Sequence, residues 1–358
     1  MIRVLVAEDS PTARALLVAM LEADPGIEVI AQASTGAQAV EMAERLSPDL
    51  ITMDVQMPVL DGLQATERIM RNSPCPIIIV TSQARESDVR LSLDATRAGA
   101  MLVLPKPEGP ASTHFAADQR QLVAMVKALA GVKVVRRWRA GSSASTAVAA
   151  GAAAKVDESR GTRRFAHATR ARVVAIAAST GGPAALRDLL AVLPQDFPAP
   201  ILVVQHISKG FVGGLVKWIA ADSPLTVKVA ADAEPAVAGS VYIAPDGCHL
   251  ELCRGPGDEF RVSLSRTAPV GSFRPSATRL FSSVAAAAGR SALAVILTGM
   301  GDDGVAGLRD VHREKGIILA QDEASSVIYG MPREAVRAGV VNEVVSLQHL
   351  PTRLAELT

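Results

Sequence analysis

The stretch Arg172–Leu193, RVVAIAASTGGPAALRDLLAVL, sets the architecture of the second half of the chain. Its first part, 173–178, is short and almost wholly apolar, as is typical of a parallel strand buried on both faces. Pro183 suits the first turn of a helix. Four leucines then recur at helical spacing: Leu186, Leu189, Leu190 and Leu193. The pattern therefore predicts a strand, a tight glycine turn and a helix, the repeating unit of an α/β sheet.

Ser179 lies where this predicted strand gives way to the helix, and Thr180 follows it directly. A helix N-terminus offers unpaired backbone N–H groups and partial positive charge, which stabilise a developing anion. A serine hydroxyl at that point is a candidate nucleophile. Serine and threonine are also ordinary helix N-cap residues, so this stretch alone leaves both interpretations open.

The overall composition indicates a water-soluble α/β protein with more than one domain. The chain has 358 residues, enough for two or three domains. Its 37 basic and 36 acidic residues nearly balance, and aromatic residues make up only 3%, so neither nucleic acid nor an anionic membrane is favoured as a partner. Three cysteines fit a reducing compartment, and neither a signal peptide nor an apolar run of membrane-spanning length is visible. We therefore expect a cytoplasmic protein without membrane insertion.

The first 130 residues predict five strands that alternate with helices. The predicted strands are 2–7, 27–33, 50–53, 77–80 and 101–104. Helices are expected from Pro11 to about Asp24, over 37–46 and, as the last one, over 121–130. This alternation is that of a doubly wound parallel sheet.

Polar side chains collect at the carboxyl ends of these predicted strands, the edge where open parallel sheets bind ligands. They are Glu8, Asp9, Asp54, Thr81 and Lys106. Three converging carboxylates would repel one another unless a hard cation neutralised them, so Glu8, Asp9 and Asp54 are candidate Mg²⁺ ligands. Asp54 could then accept a phosphoryl group, with Thr81 hydrogen-bonding to its oxygens and Lys106 supplying positive charge. Any one of these residues could be a solvated strand-end group, but the five together favour a phosphoacceptor site.

The motifs around these residues resemble those of two-component receiver domains. They are ED at 8–9, MDVQMPVLDG at 53–62, VTS at 80–82 and LPKP at 104–107. The resemblance implies that residues 1–130 form a flavodoxin-like receiver domain whose Asp54 is phosphorylated by a partner sensor histidine kinase. Receivers usually carry an aromatic residue shortly before the lysine, whereas this chain has Met101–Leu104 there, so the usual aromatic switch is not expected.

Residues 131–170 show no periodic pattern and predict a flexible linker. They contain the small-residue runs GSSAST at 141–146 and AAGAAA at 149–154, with arginines towards both ends. The arginines could contact nucleic acid or an acidic partner. With only Trp138 and Phe165 as aromatic residues and no helix-turn-helix pattern, a solvated linker is the better interpretation, and no nucleic-acid partner is expected.

The second half predicts another α/β sheet. Beyond 173–178, strands are expected at 201–205, 227–230, 241–244, 249–252, 262–265, 293–297 and 317–320, the last of these closing the core. Helices are expected over 210–221, over 276–288, from 305 to about 315 and over 331–338. Asp246-Gly247 is a turn signal, which predicts a hairpin over 241–252.

Three of these predicted strands lead into residues that could form a catalytic triad. Ser179, His206 and Asp303 would supply nucleophile, general base and orienting carboxylate. The backbone of 299–301 could supply oxyanion-hole N–H groups. Asp302 competes with Asp303 for the orienting role, and one of the two could simply cap the next helix. The chain order Ser-His-Asp is not that of α/β-hydrolases, and Ala177 breaks their G-x-S-x-G pattern.

His249 is the other histidine at the edge of a predicted strand, and it lies between Cys248 and Cys253. This arrangement invites a zinc hypothesis. Residues five apart in one strand point to opposite faces of the sheet, so the two thiols could not converge on one ion. A metal site there is therefore disfavoured.

The second half resembles the catalytic domain of the chemotaxis protein-glutamate methylesterases. The matching runs are ASTGGP at 178–183, VVQH at 203–206, YIAP at 242–245, FRPS at 273–276, VILTGMGDDGVAGL at 295–308 and YGMPREA at 329–335. Over residues 171–358 the resemblance implies a Rossmann-like serine esterase domain. Its triad would be Ser179, His206 and Asp303, with Thr180 beside the histidine and the Met300 N–H in the oxyanion hole.

The chain departs from this family pattern at two positions. Ala177 replaces a usual glycine, which we interpret as a small packing change. Thr278 stands near a usually acidic position. We expect it to touch no triad member and to affect only the surface that meets the substrate.

The two resemblances together imply a phosphorylation-activated serine carboxylic-ester hydrolase. It would hydrolyse glutamyl methyl esters on the cytoplasmic domain of methylated chemoreceptors, and some family members also deamidate glutamine. Mg²⁺ is expected in the receiver and no cofactor for the esterase step. The alternative is a response regulator that acts only by binding, with an inactive second domain as a docking module. A transcriptional effector is disfavoured because no recognition-helix motif appears.

Overall fold

The computed structural model describes residues 1–82, 98–132, 170–207 and 209–358. These residues form two parallel sheets flanked by helices, which confirms the predicted architecture of two doubly wound α/β domains. The predicted linker, with its runs of small residues and most of its arginines, lies outside the described residues except at its ends. Of the helices that are described, none is both long enough and apolar enough to cross a membrane.

Five parallel strands form the first sheet in the order β2-β1-β3-β4-β5. They are β1 (Ile2–Ala7), β2 (Ile27–Ala33), β3 (Leu50–Met53), β4 (Ile77–Thr81) and β5 (Leu102–Pro105). The described helices beside them are α1 (Pro11–Glu22), α2 (Gly36–Leu46), α3 (Gly62–Asn72) and α4 (Phe115–Leu129). Helix α4 starts at Phe115 rather than at Gln121, because its first turns bury no residue and so show no stripe that faces the core.

Side-chain caps start three helices directly after the loops at the carboxyl edge of this sheet. Ser10, Thr35 and Asp61 each accept a hydrogen bond from a backbone N–H of the first turn of α1, α2 and α3 respectively. At the start of α3, a Cβ on Gly62 would lie 1.9 Å from the Asp54 carbonyl oxygen. Glycine is therefore required there, and α3 packs tightly behind the loop that begins at Asp54.

Seven parallel strands form the second sheet in the order β14-β13-β12-β6-β7-β9-β8. They are β6 (Val173–Ala178), β7 (Ile201–Gln205), β8 (Thr226–Val229), β9 (Ser240–Ile243), β12 (Ala292–Ile296), β13 (Ile317–Gln321) and β14 (Glu343–Val345). A separate antiparallel pair consists of β10 (His249–Arg254) and β11 (Phe260–Ser265). The helices are α5 (Gly182–Leu190), α6 (Val212–Ala220), α7 (Ala277–Ala288), α8 (Val305–Arg313), α9 (Met331–Arg337) and α10 (Leu350–Leu357).

Two topological predictions for this half are wrong. Strand β9 pairs in parallel with β7 and β8, whereas β10 pairs with β11, so 241–252 is not a hairpin. Gly247 does make a turn at φ +68°, but the turn carries the chain out of the main sheet. The strand at 317–320 is also not the last, because the short edge strand β14 pairs beside it. Three residues are too few to show a periodic pattern.

The strand order brings the predicted catalytic residues together. Strands β12, β6 and β7 are neighbours at the centre of the sheet and are buried along their whole length. Ser179 and His206 follow β6 and β7, and Asp303 lies in the loop between β12 and α8. All three residues therefore lie at the carboxyl edge of the sheet, where parallel α/β folds place their ligands.

Candidate active site and phosphoacceptor site

The first site is a carboxylate cluster at the carboxyl edge of the five-stranded sheet. Ligand atoms of Glu8, Asp9 and Asp54 all lie within 4.8 Å of one another, with Glu8 and Asp54 buried and Asp9 exposed. The Lys106 Nζ donates to Glu8 Oε1 at 3.0 Å and to Asp54 Oδ2 at 2.9 Å. Thr81 is the buried last residue of β4, and its carbonyl oxygen accepts from the Lys106 N–H. The side chains of Glu8, Asp9, Asp54 and Lys106 therefore lie together, and Thr81 lies at the same edge of the sheet through its backbone contact with Lys106.

Burial controls the electrostatics of this cluster. It raises the pKa of Glu8 and of Asp54, and the hydrogen bonds from Lys106 offset that rise only in part. Burial alone would lower the pKa of Lys106, but its bonds to Asp54 and Glu8 raise it. The Glu8 Oε2 atom is buried and has no hydrogen-bond partner within the described ranges. An unpartnered carboxylate oxygen beside two further acidic groups fits a hard divalent cation, so these residues suit Mg²⁺.

The second site begins with the contact between His206 and Asp303. The His206 Nε2 lies 2.9 Å from Asp303 Oδ2, and both side chains are almost fully buried. The backbone fixes the neighbouring strand ends: the His206 N–H donates to the Ala178 carbonyl oxygen at 2.9 Å, and the Ser179 N–H to the Thr298 carbonyl oxygen at 3.0 Å. The loops that carry the three triad candidates are thus hydrogen-bonded to one another.

The Asp303 carboxylate contacts the N-terminus of α7, where several groups donate hydrogen bonds to it. Its Oδ1 accepts from Ser276 Oγ at 2.9 Å and from the Thr278 N–H at 3.0 Å, and its Oδ2 accepts from the Ala277 N–H at 2.8 Å as well as from His206. Burial opposes its ionisation, but the hydrogen bonds from His206, Thr278 and Ala277 outweigh burial and lower its pKa to about 2. Asp303 is therefore a fixed anion.

Two predictions made near this carboxylate are resolved by the same contacts. Thr278 was expected to touch no triad member, and this is wrong because its backbone N–H binds Asp303. The prediction failed because the contact comes from the backbone of a helix N-terminus, which a comparison of side chains does not show. Asp302 is exposed and its carbonyl oxygen accepts from the Val305 N–H, so Asp303 rather than Asp302 meets the histidine.

The ring of His206 is held by contacts at one face and at Nε2, but it forms no hydrogen bond with the Ser179 hydroxyl. It stacks on Phe273 with ring centroids 4.3 Å apart, and its Nδ1 is buried without a hydrogen-bond partner among the residues described. The Ser179 hydroxyl lies at the neighbouring strand end and forms no hydrogen bond with that nitrogen here. Since Nε2 faces Asp303, Nδ1 is the ring nitrogen left without a partner among the described residues. Catalytic hydrogen bonds are often longer in free enzymes than in their substrate complexes.

Gln205 is a buried residue of this site that the sequence analysis did not single out. Its Nε2 donates to the Ser179 carbonyl oxygen at 2.8 Å and to the His206 carbonyl oxygen at 2.9 Å. It therefore ties the Ser179 loop to His206. The available signal was a single amide at the end of the otherwise apolar strand ILVVQ.

The predicted oxyanion loop approaches Ser179 closely. A Cβ on Gly299 would lie 2.7 Å from the Ser179 Cβ, so only glycine allows this approach. Met300 follows with its side chain 38% exposed, and its N–H donates no hydrogen bond within the described part of the chain. Thr180 is buried, and its carbonyl oxygen accepts from Thr298 Oγ1 at 2.9 Å. Its hydroxyl makes no hydrogen bond to His206 in the ranges described.

The zinc hypothesis gains no support from the geometry. Cys248 is buried and Cys253 is exposed, as expected for opposite faces of a strand. Within the described ranges, only Glu8, Asp9 and Asp54 form a group with the spacing of metal ligands.

A buried histidine–aspartate pair beside a serine at a strand-to-helix turn, joined to a receiver fold with a carboxylate cluster, defines a serine hydrolase of the response-regulator class. Comparison with known proteins agrees. The family model for the CheB methylesterase matches residues 174–354, and that for the response regulator receiver domain matches residues 4–118. The chain belongs to the CheB methylesterase family.

Individual relatives match the chain along nearly all of its length. A protein-glutamate methylesterase/protein-glutamine glutaminase of Myxococcus xanthus is 53% identical over 99% of this chain and 96% of its own length. One from Anaeromyxobacter dehalogenans is 49% identical over 99% of this chain and 98% of its own. Among solved structures, the CheB methylesterase catalytic domain of Thermotoga maritima is 36% identical with a TM-score of 0.52, and the match covers 53% of this chain and 100% of that domain.

Proposed function

We propose that this protein hydrolyses glutamyl methyl esters on methylated chemoreceptors, releasing methanol, and deamidates glutamine side chains at the same site. The hydrolase class follows from the family, and the names of the relatives supply both activities. The observation that carries the proposal is the buried contact between His206 and Asp303 beside the Ser179 loop. A binding-only module would have no need of a buried histidine paired with a carboxylate in this position.

The chemistry follows from the positions of the side chains. Ser179 Oγ attacks the ester carbonyl carbon while His206 Nδ1 accepts its proton, and the negative charge develops on the carbonyl oxygen. The Met300 N–H, which has no other acceptor among the described residues, donates to that oxygen, and Thr180 supports the loop through Thr298. His206 then gives this proton to the methoxy oxygen, which leaves as methanol when its bond to the carbonyl carbon breaks, or to the amide nitrogen, which leaves as ammonia in deamidation. Water hydrolyses the glutamyl-serine ester by the same steps in reverse.

Asp303 orients the base and stabilises it when it becomes charged. With its pKa lowered to about 2, the carboxylate is ionised at any pH at which the enzyme would work. It therefore accepts a hydrogen bond from the Nε2–H of His206 and leaves the Nδ1 lone pair free for Ser179. The imidazolium formed during attack lies against this fixed negative charge.

The receiver is proposed to regulate this chemistry through Asp54. A partner sensor histidine kinase would supply the phosphoryl group, and the Asp54 carboxylate would accept it. Glu8, Asp9 and Asp54 would hold Mg²⁺, which when bound neutralises charge on the phosphoryl oxygens. Thr81 and Lys106 would donate hydrogen bonds to those oxygens. The implied boundaries are a receiver at 1–130, a linker at 131–170 and a catalytic domain at 171–358.

A contact between the two domains supports regulation by occlusion. Val327 and Ile328 of the catalytic domain pack against the receiver's hydrophobic cluster that includes Val80, Leu104 and Leu122. A Cβ on Gly181 would lie 2.5 Å from the Val327 Cβ, so this segment also covers the nucleophile loop. Undocking of the receiver after phosphorylation would expose the surface of this segment, beside the Ser179 loop, to a substrate.

Methanol release from methylated receptor tests both parts of the proposal. We expect Ser179→Ala to lower kcat by several orders of magnitude, since loss of a triad nucleophile has cost about a millionfold in a well-studied protease. Asp54→Ala should retain basal release but lose its stimulation by a phosphodonor. Equal rates for wild type and Ser179→Ala would favour the docking-module alternative. Stimulation that persists in Asp54→Ala would contradict phosphorylation at that residue.

A further inference from the structure

His249, the first residue of β10, is fully buried, with 0% of its surface exposed. Its Nδ1 accepts the Ser276 backbone N–H at 3.2 Å, and its Nε2 lies 3.1 Å from the Ala268 carbonyl oxygen. A backbone N–H can only donate and a carbonyl oxygen can only accept. The two partners therefore define one form of the ring, a neutral imidazole with its proton on Nε2 and a lone pair on Nδ1.

The residue bound by His249 Nδ1 is also the start of the support for the triad carboxylate. Ser276 is the N-cap of α7, and its Oγ donates to Asp303 Oδ1. The next two backbone N–H groups, those of Ala277 and Thr278, donate to the same carboxylate. Apart from His206, every described donor to Asp303 thus lies within three residues whose first N–H is held by His249.

The other partner of His249 lies in the segment 266–275, which carries the ring stacked on the catalytic base. Ala268 is in this segment, and Phe273, further along it, stacks on His206. His249 therefore links two parts of the site. One is the segment 266–275, which packs on His206, and the other is the start of α7, which binds Asp303. Both ring nitrogens of His249 are bonded to backbone groups of the protein, so neither is free to contact a substrate.

We propose that His249 is a positioning residue of the active site. Its Nδ1 holds the N-terminus of α7 so that Ser276, Ala277 and Thr278 keep Asp303 aligned with His206, and the Ala268 carbonyl oxygen fixes the tautomer that makes this possible. The proposal rests on the esterase function proposed above. It assigns no proton transfer to His249 and requires no metal.

Two substitutions separate the contacts of the ring. In His249→Asn the amide oxygen can take the place of Nδ1 and accept from Ser276, whereas in His249→Gln the amide nitrogen can take the place of Nε2 and donate to Ala268. We expect His249→Gln to lower kcat by roughly 10- to 100-fold with KM changed less than about twofold, because small displacements of catalytic groups have costs of this size. We expect His249→Asn to stay within about threefold of wild type.

Ser283→Ala is a matched control, because Ser283 also joins β10 to α7 without reaching Asp303. Its Oγ accepts the Leu252 N–H at 3.0 Å and donates to the Leu280 carbonyl oxygen at 2.8 Å. Kinetics of methanol release are measured on the full chain for each variant, together with Tm to compare folding. The control should keep the wild-type kcat even where its Tm falls.

A ¹⁵N NMR spectrum of the imidazole groups in the wild-type protein gives a second measurement. It depends neither on enzymatic activity nor on the correct folding of a variant. It should show His249 protonated at Nε2 and unprotonated at Nδ1. A proton on Nδ1, a wild-type kcat in His249→Gln, or an equal loss in the Asn and Gln variants would overturn the proposal. Failure of the esterase function would instead appear as equal methanol release by wild type and Ser179→Ala, with the spectrum unaffected.

Discussion

Asp303→Asn replaces one carboxylate oxygen by an amide nitrogen in surroundings that contain only donors. Each oxygen of Asp303 accepts two hydrogen bonds: Oδ1 from Ser276 and Thr278, and Oδ2 from His206 and Ala277. An amide NH₂ accepts none. Whichever oxygen is replaced, one fixed backbone N–H loses its acceptor, so the variant cannot reproduce the wild-type arrangement.

The cost to catalysis depends on which oxygen the nitrogen replaces. If it takes the place of Oδ2, His206 must accept at Nε2 and carry its proton on Nδ1, where it can no longer deprotonate Ser179. A triad with correct geometry and the wrong histidine tautomer loses about 10⁴ in kcat. If it takes the place of Oδ1, the tautomer survives but the bond from the Thr278 N–H is lost. We expect a fall in kcat of about 10³- to 10⁴-fold, equivalent to about 4–5.5 kcal/mol.

Stability should also change, with a sign fixed by the pKa of Asp303. Its pKa is about 2 in the folded protein against a usual value of 3.8, so the folded state binds the proton less tightly than the unfolded chain. The carboxylate therefore contributes stability that is fully present above about pH 4 and is lost as the pH falls towards 2. A difference of this size corresponds to about 2 kcal/mol. Asp303→Asn should lack this pH dependence of the free energy of unfolding.

The assay compares wild type, Asp303→Asn and Asp302→Asn. The control changes a neighbouring, exposed carboxylate that makes no contact with His206, so it should retain kcat. Methanol release gives kcat, and chemical denaturation at several pH values gives the free energy of unfolding. If Asp303→Asn kept kcat within tenfold of wild type, or if both variants lost activity equally, Asp303 would not be the orienting carboxylate.

Three further predictions concern the receiver and its contact with the catalytic domain. Val59 is 89% exposed and has φ +70°, a conformation unfavourable for a β-branched residue, so Val59→Asn should stabilise the receiver by about 1 kcal/mol in denaturant unfolding; an unchanged midpoint would contradict this. Val327→Ala should weaken the docking of the receiver and raise basal methanol release in the absence of phosphodonor, whereas a lower or unchanged rate would argue against occlusion. Burial raises the pKa of Glu8 and Asp54, and both carboxylates must lose their protons before they can bind Mg²⁺. The Mg²⁺ affinity measured by calorimetry should therefore still increase with pH above the range in which carboxylates usually titrate. An affinity that is already constant in that range would show that these groups do not bind the ion.

The sequence was sufficient to predict where the polar residues stand but not what surrounds them. Ser179, His206 and Asp303 each follow a buried apolar strand, and adjacent parallel strands place such residues at one edge of the sheet. The same reasoning located Asp54 and Lys106. It failed at β10, which pairs with the next strand, β11, across the turn 255–259 rather than with β9, and at β14, which is too short to show a pattern.

The support of Asp303 shows why local patterns are insufficient. Its donors come from residues 276–278, some 25 positions earlier in the chain, and they reach it only because α7 and α8 pack closely. A Cβ on Gly307 in α8 would lie 2.4 Å from the Thr278 carbonyl oxygen, so this approach requires glycine there. The run VILTGMGDDGVAGL at 295–308 thus carries both the carboxylate proposed to act in catalysis and the glycine that admits its hydrogen-bond donors. Two requirements of one site, a charge and a close helix contact, account for the spacing of Asp303 and Gly307 one helical turn apart.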